Sequence, residues 1–131
     1  MIRSVGVDLV EVDRVQKAVE RWGDRFLRRV YTGAEIDYCF HKGERYRSLA
    51  ARFAAKEAVM KALGTGWTRG VRWVDIEVRR VSGAAPEVWL QGASAEIAQQ
   101  RGIERWHVTI THDAGIAAAV VVAESLETHS R

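Results

Sequence analysis

The sequence predicts a single α+β domain that spans residues 1–131. A long segment, residues 46–64, is rich in alanine, leucine, lysine and glutamate, which are good helix formers. Several later segments alternate apolar and polar residues with a period of two, which is typical of strands with one solvated face. No repeat, linker or low-complexity segment divides the chain, and its length suits one domain. Helices and strands in separate runs favour the α+β class.

The first predicted elements are a strand and a helix. Residues 4–10 form a short apolar run that carries one acid, Asp8, and we expect a strand there. Six apolar residues of the following helix share one core-facing stripe: Val12, Val15, Val19, Trp22, Phe26 and Val30. Four basic residues share a neighbouring face if the helix continues through Gly23: Arg14, Arg21, Arg25 and Arg28. This basic stripe is either a solvated face or a docking surface for an acidic partner.

A predicted capping box and a charged loop lead into the long helix. Thr32 is expected to cap a short helix together with Glu35 three residues later, and residues 41–47 are expected to be a loop. The long helix places four large apolar residues on its core side: Leu49, Phe53, Met60 and Leu63. Gly64 is the expected end of this helix, because glycine is common just past the last helical residue.

Three charged residues of the long helix have more than one interpretation. Glu57 and Lys61 lie one turn apart on a flank whose other members, Ala50 and Ala54, are small enough to leave room for a ligand. The alternative is an ordinary surface ion pair of modest strength. Lys56 projects into the apolar stripe, so its ammonium group must either pair or extend to solvent.

The second half of the chain predicts two hairpins separated by a helix. Residues 74–78 and 88–90 are expected to be paired strands, joined by a turn over residues 82–86. Ser94 is the predicted cap of a short helix over residues 95–100, which Gly102 closes.

The second of these hairpins ends the domain. Residues 106–111 are a predicted strand, and residues 112–115 are a predicted turn. Residues 116–123 are almost uninterrupted apolar, as expected of a strand buried on both faces. The tail from Glu124 is polar and is expected to fray.

Composition excludes several classes of protein. The single cysteine, Cys39, excludes an internal disulfide, and it forms no zinc-binding spacing with the four scattered histidines, His41, His107, His112 and His129. No apolar run is long enough to span a membrane, and the first residues lack the pattern of a signal peptide, so we expect a cytoplasmic protein. The net charge of +3 comes from sixteen arginines and four lysines. Arginine enrichment suits phosphate or carboxylate recognition, or simply a GC-rich genome.

Asp8 and Glu57 are candidate ligands of a hard divalent cation. Such a cation takes oxygen ligands, commonly one or two carboxylates with phosphate and water completing the set. Lys61, one turn beyond Glu57, would then neutralise charge on a bound diphosphate. The alternative for Asp8 is a buried cap at the start of the first helix.

Two motifs resemble the holo-acyl-carrier-protein synthase family, the small 4′-phosphopantetheinyl transferases. They are GVDLVEVDR at residues 6–14 and RFAAKEAxxKALGTG at residues 52–66, and residues 70–78 and 83–94 are also similar to the family. The resemblance implies an antiparallel sheet packed against the long helix and a homotrimer with active sites between subunits. It also implies Mg²⁺-dependent transfer of 4′-phosphopantetheine from coenzyme A to a serine of an acyl carrier protein of fatty-acid or polyketide synthesis, with release of 3′,5′-ADP.

The resemblance also implies roles for individual residues. Asp8 and Glu57 would hold the metal, with Asp8 of one subunit facing Glu57 of the next, and Lys61 would contact phosphate; these three are the predicted catalytic residues. Glu57 or a metal-bound water would take the serine proton. The other predicted coenzyme A contacts are Arg52, Lys56, Gly64, Thr65, Gly66, His112 and Arg45, with Asp113 a weaker candidate and Lys42 and Arg47 as alternatives for the 3′-phosphate. The basic stripe Arg14, Arg21, Arg25 and Arg28 would dock the acidic carrier protein.

Two other functions compete with this interpretation. The first is a non-enzymatic arginine-rich module that binds nucleic acid or an acidic protein; against it, Trp22 and Phe26 are expected on the core side, where they cannot stack on bases. The second is a different Mg²⁺-dependent phosphoryl or nucleotidyl transferase; against it, no glycine-rich phosphate loop opens a helix. We therefore expect neither nucleic acid nor a membrane as a partner.

Overall fold

The computed structural model of the chain describes residues 1–66, 68–80 and 84–126. Ten helices and strands follow one another in these residues: β1 (Ile2–Glu11), α1 (Val12–Trp22), α2 (Asp24–Val30), α3 (Gly33–His41), α4 (Arg45–Leu63), β2 (Ile76–Arg79), β3 (Glu87–Leu90), α5 (Gly92–Gln100), β4 (Arg105–Asp113) and β5 (Ile116–Glu124). A short 3₁₀ helix, Trp73–Asp75, precedes β2. The predicted α+β class is confirmed.

The larger sheet has three antiparallel strands in the order β1-β5-β4, and β2 and β3 form a separate antiparallel pair. Strand β5 is therefore central, with β1 and β4 at the two edges. Helix α4 packs against this sheet, and β1 comes very close to it at Gly6. A Cβ at Gly6 would lie 1.9 Å from the carbonyl oxygen of Ala58, so only glycine fits there. Because of this close approach, the residues that follow Gly6 in β1 lie beside α4.

Helix α4 is the buried centre of the fold. It begins one residue before the predicted start and ends, as predicted, before Gly64, whose φ of 78° is left-handed. Leu49, Met60 and Leu63 are fully buried, as expected, and Phe53 is partly buried. The alanines between them are buried too, so α4 is covered on most of its circumference rather than along one stripe.

The first helix does not continue through Gly23. The chain breaks there into α1 and α2, because Gly23 has a φ of 54° and cannot carry a regular helix. Val15, Leu27 and Val30 are buried, but Trp22 is 48% exposed, so the prediction that Trp22 faces the core is wrong. The change of direction at Gly23 removes Trp22 from the stripe that a continuous helix would have presented.

Other boundaries confirm some predictions and correct others. Thr32 and Glu35 form the predicted capping box. The charged loop before α4 is shorter than expected, because α3 runs to His41 and α4 starts at Arg45. Ser94 is not the helix cap; it lies in the first turn of α5, where its hydroxyl donates to the Gln91 carbonyl at 2.7 Å.

The second hairpin turns more tightly than predicted. Strand β4 continues to Asp113, and only Ala114 and Gly115, both with positive φ, connect it to β5. Positive φ at both central residues suits the twist of a two-residue hairpin. In the single chain β5 is buried on one face only, since Ala117 and Val121 are covered while Val120 is 37% exposed. The prediction of burial on both faces is therefore wrong for the chain alone.

Parts of three predictions lie outside the described residues. They are the turn over residues 82–86, of which residues 82 and 83 are not described, the fraying tail beyond residue 126, and His129. Within the described residues, no helix is long and apolar enough to cross a membrane.

Candidate active site

Asp8 and Lys61, 53 residues apart in sequence, meet where β1 crosses α4. The Lys61 ammonium donates to the Asp8 carboxylate at 3.0 Å and to the carbonyl oxygen of Val7 at 3.1 Å. Asp8 lies within β1, and Glu11 occupies the N-cap position of α1, so the alternative role of Asp8 as a helix cap is excluded. The ion pair of Lys61 is with Asp8, which is a cross-element contact and not the surface pair along α4 considered above.

Glu57 completes this group from the neighbouring turn of α4. Its pKa is raised above the ordinary range because the carboxyl is partly buried and because the Asp8 carboxylate repels its charge; Lys61 and Arg14 act in the opposite direction. All four groups therefore interact within one chain. This corrects the implied arrangement in which Asp8 of one subunit would face Glu57 of the next. We call Asp8, Glu57 and Lys61 the carboxylate–lysine cluster.

The carboxylate–lysine cluster suits a hard divalent cation that shares its ligands with a phosphate. Two carboxylates that repel each other are relieved by a cation between them, and Mg²⁺ commonly binds through one or two carboxylates. The described part of the chain holds no group of three or more histidine, cysteine, aspartate or glutamate side chains arranged for a metal. A cation bound here would thus depend on substrate oxygens and water for its remaining ligands.

A second feature is a cleft of about 340 Å³ with basic walls, which we call the basic cleft. It lies among α3, the first half of α4, the end of β2 and the end of β4. Five of its side chains are basic: Lys42, Arg47, Arg52, Arg80 and His112. One acid, Glu44, also lines it and is paired with Arg47 at 2.6 Å. The excess of positive charge suits an anionic ligand.

Arg52 is the most deeply placed base of the basic cleft. It is only 4% exposed, and its guanidinium lies 4.3 Å from the ring centroid of Tyr38. One terminal nitrogen donates to the Ser48 hydroxyl at 3.2 Å, whereas Nε has no hydrogen-bond partner among the described residues. Buried polar atoms are rarely left unpaired, so a ligand oxygen in the basic cleft is a fitting partner.

The basic cleft brings together only some of the predicted coenzyme A contacts. Arg52 and His112 line it, as do Lys42 and Arg47. Arg45 does not; its guanidinium stacks 4.3 Å from the Phe40 ring.

Arg80 also lines the basic cleft and was missed by the sequence analysis. Arg80 directly follows β2, and a period of two places it on the apolar side of the strand together with Val78. A basic residue on that apolar side was the signal available in the sequence.

Lys56 is not available to a ligand, and its assignment as a coenzyme A contact is corrected. Its side chain is fully buried and forms an ion pair with Glu35 at 2.8 Å. It also donates to the carbonyl oxygens of Trp73 and Ile76. Burial lowers the pKa of Lys56, and the charge of Glu35 partly offsets that effect. Of the two options considered above, pairing and extension to solvent, the structure shows pairing.

The segment Gly64, Thr65 and Gly66 ends α4 just beyond Lys61. Gly64 and Gly66 have positive φ, and the Gly64 amide donates to the carbonyls of Met60 and Lys61. This confirms the predicted helix end. The implied contact between this backbone and coenzyme A stays a prediction, as does a role for Asp113, which is exposed at the end of β4.

The condition set for the basic stripe, a helix that continues through Gly23, is not met: Arg14 and Arg21 lie on α1, and Arg25 and Arg28 lie on α2. All four arginines are nevertheless exposed. Trp22 lies among them, with the guanidinium carbons of Arg21 and Arg25 at 5.0 and 5.6 Å from its ring. The expectation that the aromatic residues of this region avoid the arginines is thus wrong for Trp22. At the other end of the stripe, Arg14 is near enough to influence Glu57, so the stripe begins beside the carboxylate–lysine cluster.

The fold and site together define a small α+β protein of the phosphopantetheinyl transferase class. Residues 4–121 match the sequence model of the 4′-phosphopantetheinyl transferase superfamily, and the chain belongs to this family. This confirms the resemblance that the two motifs indicated.

Relatives and solved structures agree with this membership. The chain is 47% identical over 125 residues to holo-[acyl-carrier-protein] synthase of Solibacter usitatus, covering 95% of this chain and 100% of the relative. The crystal structure of this synthase from Neisseria meningitidis superposes with a TM-score of 0.86 at 31% identity, covering 95% and 100% of the two chains. That of the Helicobacter pylori synthase in complex with coenzyme A gives 0.80 at 34% identity, with coverage of 92% and 99%.

Proposed function

We propose that the protein transfers the 4′-phosphopantetheine group from coenzyme A to a serine hydroxyl of an apo-acyl carrier protein and releases 3′,5′-ADP. The observation that carries this proposal is the carboxylate–lysine cluster in a chain whose relatives are holo-[acyl-carrier-protein] synthases. The name of these relatives gives the product, a holo-acyl carrier protein. The Helicobacter pylori synthase was solved in complex with coenzyme A. An expected cytoplasmic location stays a prediction.

In the proposed reaction the serine oxygen attacks the β-phosphorus of the coenzyme A diphosphate. A new phosphorus–oxygen bond forms, the bond from that phosphorus to the bridging oxygen breaks, and 3′,5′-ADP leaves with the bridging oxygen. The serine proton is lost to a base. The Lys61 ammonium, which donates to Asp8 and to the Val7 carbonyl, would balance the negative charge that builds on the phosphate oxygens.

Asp8 and Glu57 are the residues that would hold Mg²⁺. A bound Mg²⁺ supplies stabilisation of charge on phosphate oxygens. The raised pKa of Glu57 fits such a role, because burial next to Asp8 disfavours two bare carboxylates and a cation would relieve both.

The basic cleft suits the nucleotide end of coenzyme A, but it does not open beside the carboxylate–lysine cluster of the same chain. Asp8 is on edge strand β1 whereas His112 is on the opposite edge strand β4, about 10 Å away across the sheet. Along α4, Arg52 and Lys61 are nine residues apart, which at 3.6 residues per turn places them on opposite sides of the helix. Helix α4 thus lies between Arg52 and Lys61 in one chain, and we infer that one molecule of coenzyme A contacts the two features in different copies of the chain.

We accordingly propose a homotrimer in which the carboxylate–lysine cluster of one subunit faces the basic cleft of the next. The outer face of the sheet supports association, since Val5, Val7 and Leu9 are each more than half exposed there. Val120 of β5 is the register partner of Val7, so these side chains form one apolar patch. A patch of this kind on a small protein is typical of an interface.

The basic stripe is the proposed dock for the carrier protein. It has one sign of charge and starts beside the carboxylate–lysine cluster, and Trp22 adds an exposed apolar surface among the guanidinium groups. Aromatic residues and arginines together are enriched at protein interfaces.

Incubation with coenzyme A, apo-acyl carrier protein and Mg²⁺ tests the function directly. Mass spectrometry of the carrier protein should show the added phosphopantetheine, and chromatography should show 3′,5′-ADP in equal amount. Omission of Mg²⁺ with a chelator present should stop both. Formation of neither product at saturating coenzyme A, with several apo-carrier proteins offered, would contradict the proposal.

A further inference from the structure

A buried ion pair lies directly behind the basic cleft. Lys56 and Glu35 are 2.8 Å apart, and their side chains are 0% and 1% exposed. The Lys56 ammonium has three partners: the Glu35 carboxylate and the carbonyl oxygens of Trp73 and Ile76. The Glu35 carboxylate accepts from this ammonium and from the backbone amides of Thr32 and Val78, the latter at 2.8 Å. Neither charge can reach a substrate.

Glu35 closes the capping box of α3, but stability gives little reason for a buried ion pair between Glu35 and Lys56. Removing two charges from water is costly, and well-packed apolar residues often replace a buried ion pair at no loss of stability. The apolar neighbours of Lys56 on α4 would accommodate such a replacement, since Val59 and Met60 are buried around it. What apolar residues could not supply is the set of directed hydrogen bonds to three separate segments of backbone.

The pair also joins three elements that form walls of the basic cleft, α3, α4 and β2. Glu35 lies on α3, one turn before Tyr38, whose ring packs on Arg52. Lys56 lies on α4, one turn after Arg52 itself. Val78, whose amide donates to Glu35, lines the basic cleft on β2, two residues before Arg80. The ion pair is thus the point at which α3, α4 and β2 are joined behind the basic cleft.

We propose that Glu35 and Lys56 are positioning residues for the basic cleft: their buried pair fixes the spacing at which Tyr38, Arg52 and Arg80 face one phosphate-bearing ligand. The inference rests on the proposed function, because it assigns the 3′,5′-ADP part of coenzyme A as that ligand. It adds a role for two residues that never touch the substrate. Misplacement of binding groups by a fraction of an ångström to one ångström is enough to weaken recognition strongly.

The test measures the affinity for 3′,5′-ADP by calorimetry, together with the KM for coenzyme A and for the carrier protein. The single variant Lys56→Met leaves a buried carboxylate unpaired and can fail to fold. The main test variant is therefore the double variant Lys56→Met/Glu35→Gln, and the single variant Glu35→Gln is measured as well. Both are compared at a temperature where circular dichroism shows full folding. Asp13→Asn/Lys17→Met, which removes an exposed ion pair of α1, is the matched control.

We expect the double variant to bind 3′,5′-ADP about tenfold or more weakly, with a similar rise in the KM for coenzyme A. The KM for carrier protein should stay within about twofold, because rim charges on α1 and α2 govern that encounter. Glu35→Gln should show a smaller shift in the same direction. The control variant should match the wild type.

Arg52→Gln separates positioning from general destabilisation. If the buried pair acts through Arg52, adding Lys56→Met/Glu35→Gln to Arg52→Gln should weaken 3′,5′-ADP binding little further, whereas independent effects would multiply. A folded double variant that binds 3′,5′-ADP with wild-type affinity would overturn the inference, and so would fully multiplicative effects on that affinity. If the double variant does not fold, an unchanged affinity of Glu35→Gln for 3′,5′-ADP would overturn it. Failure of the wild type itself to bind 3′,5′-ADP would instead overturn the proposed function.

Discussion

At the scale of single residues, the site depends on small groups whose partners lie far away in sequence. Asp8 and Lys61 are useful only because β1 crosses α4, and Glu57 gains its raised pKa from burial there and from Asp8. Charge that is fixed before the substrate arrives needs no reorganisation during the reaction. Substitutions that preserve shape but remove charge are therefore the informative ones.

Glu57→Gln should reduce transfer by roughly 10²-fold or more at limiting Mg²⁺, because a neutral amide is a poor ligand for this ion. Asp8→Asn should behave alike, and both variants should unfold at about the wild-type temperature. Steady-state rates across a Mg²⁺ titration provide the measurement. Asp13→Asn, a loss of an exposed carboxylate on α1, is the matched control. Near-wild-type turnover of Glu57→Gln at limiting Mg²⁺ would show that the metal assignment is wrong.

Lys61→Ala should lower kcat by roughly 10²-fold, since it removes a preorganised positive charge beside the phosphate. Lys61→Arg should restore only part of the loss, because a planar fork replaces a compact ammonium group. The kcat and the KM for coenzyme A are measured for both. Full activity of Lys61→Ala would make the contact with Asp8 a structural feature without a part in catalysis.

At the scale of elements, helix α4 and its crossing with β1 organise the molecule. Helix periodicity and Gly64 were enough to predict α4, and a capping box was enough to predict the start of α3. These are local signals within a few residues. The break at Gly23 was not predictable with the same certainty, because glycine tolerates helical as well as left-handed dihedral angles. Burial of Lys56 was foreseen as a problem, but its partner required knowledge of how α3 returns over α4.

Gly6→Ala should destabilise the protein by about 3 kcal/mol, since the new methyl group overlaps a backbone carbonyl that cannot move aside cheaply. The thermal midpoint should fall by roughly 10 °C, and transfer should fall as well because Asp8 moves away from Lys61. Calorimetry and steady-state rates measure the two effects. Gly33→Ala, where a Cβ meets nothing within 4 Å, is the matched control. A stability equal to that of wild type would show that β1 does not pack so closely on α4.

Arg21→Glu should raise the KM for the carrier protein roughly tenfold at low salt and flatten its dependence on ionic strength, because rim charges act on encounter. The KM for coenzyme A should not move, which makes it the internal control. Kinetics with each substrate varied at low and high salt provide the measurement. A parallel rise of both KM values would place Arg21 in the coenzyme A site or at a subunit interface, and no change in either would make the basic stripe a solvated face.

At the scale of the whole molecule, strand order and helix packing decide which of the predicted site residues meet. The two motifs contain all three residues of the carboxylate–lysine cluster, but only Arg52 of the five basic side chains in the basic cleft. The distance between the two features follows from the strand order β1-β5-β4, which no local pattern encodes. The resemblance to a trimeric family implied that Asp8 of one subunit faces Glu57 of the next, whereas one chain brings the two together.

Subunit complementation tests the proposed assembly. Lys61→Ala impairs the carboxylate–lysine cluster, and Arg52→Gln impairs the basic cleft, so each homotrimer should be nearly inactive. Mixed trimers formed by co-expression should regain activity at every interface where an Arg52→Gln subunit supplies its intact cluster to the intact basic cleft of a Lys61→Ala subunit. Random mixing in equal amounts makes about a quarter of the interfaces of this kind, so about a quarter of wild-type activity should return.

The first control for complementation mixes the two purified parent variants without exchange of subunits, and this mixture should stay inactive. The second control is the variant Val120→Lys. That substitution places a charge in the outer apolar patch of β5 and should convert a species of about three times 14.7 kDa into a monomer, as light scattering measures. A monomer supplies only half of the composite site, so its transfer activity should be lost together with its assembly. If verified mixed trimers do not regain transfer activity, or if a monomeric Val120→Lys variant is fully active, the carboxylate–lysine cluster and the basic cleft act within one subunit.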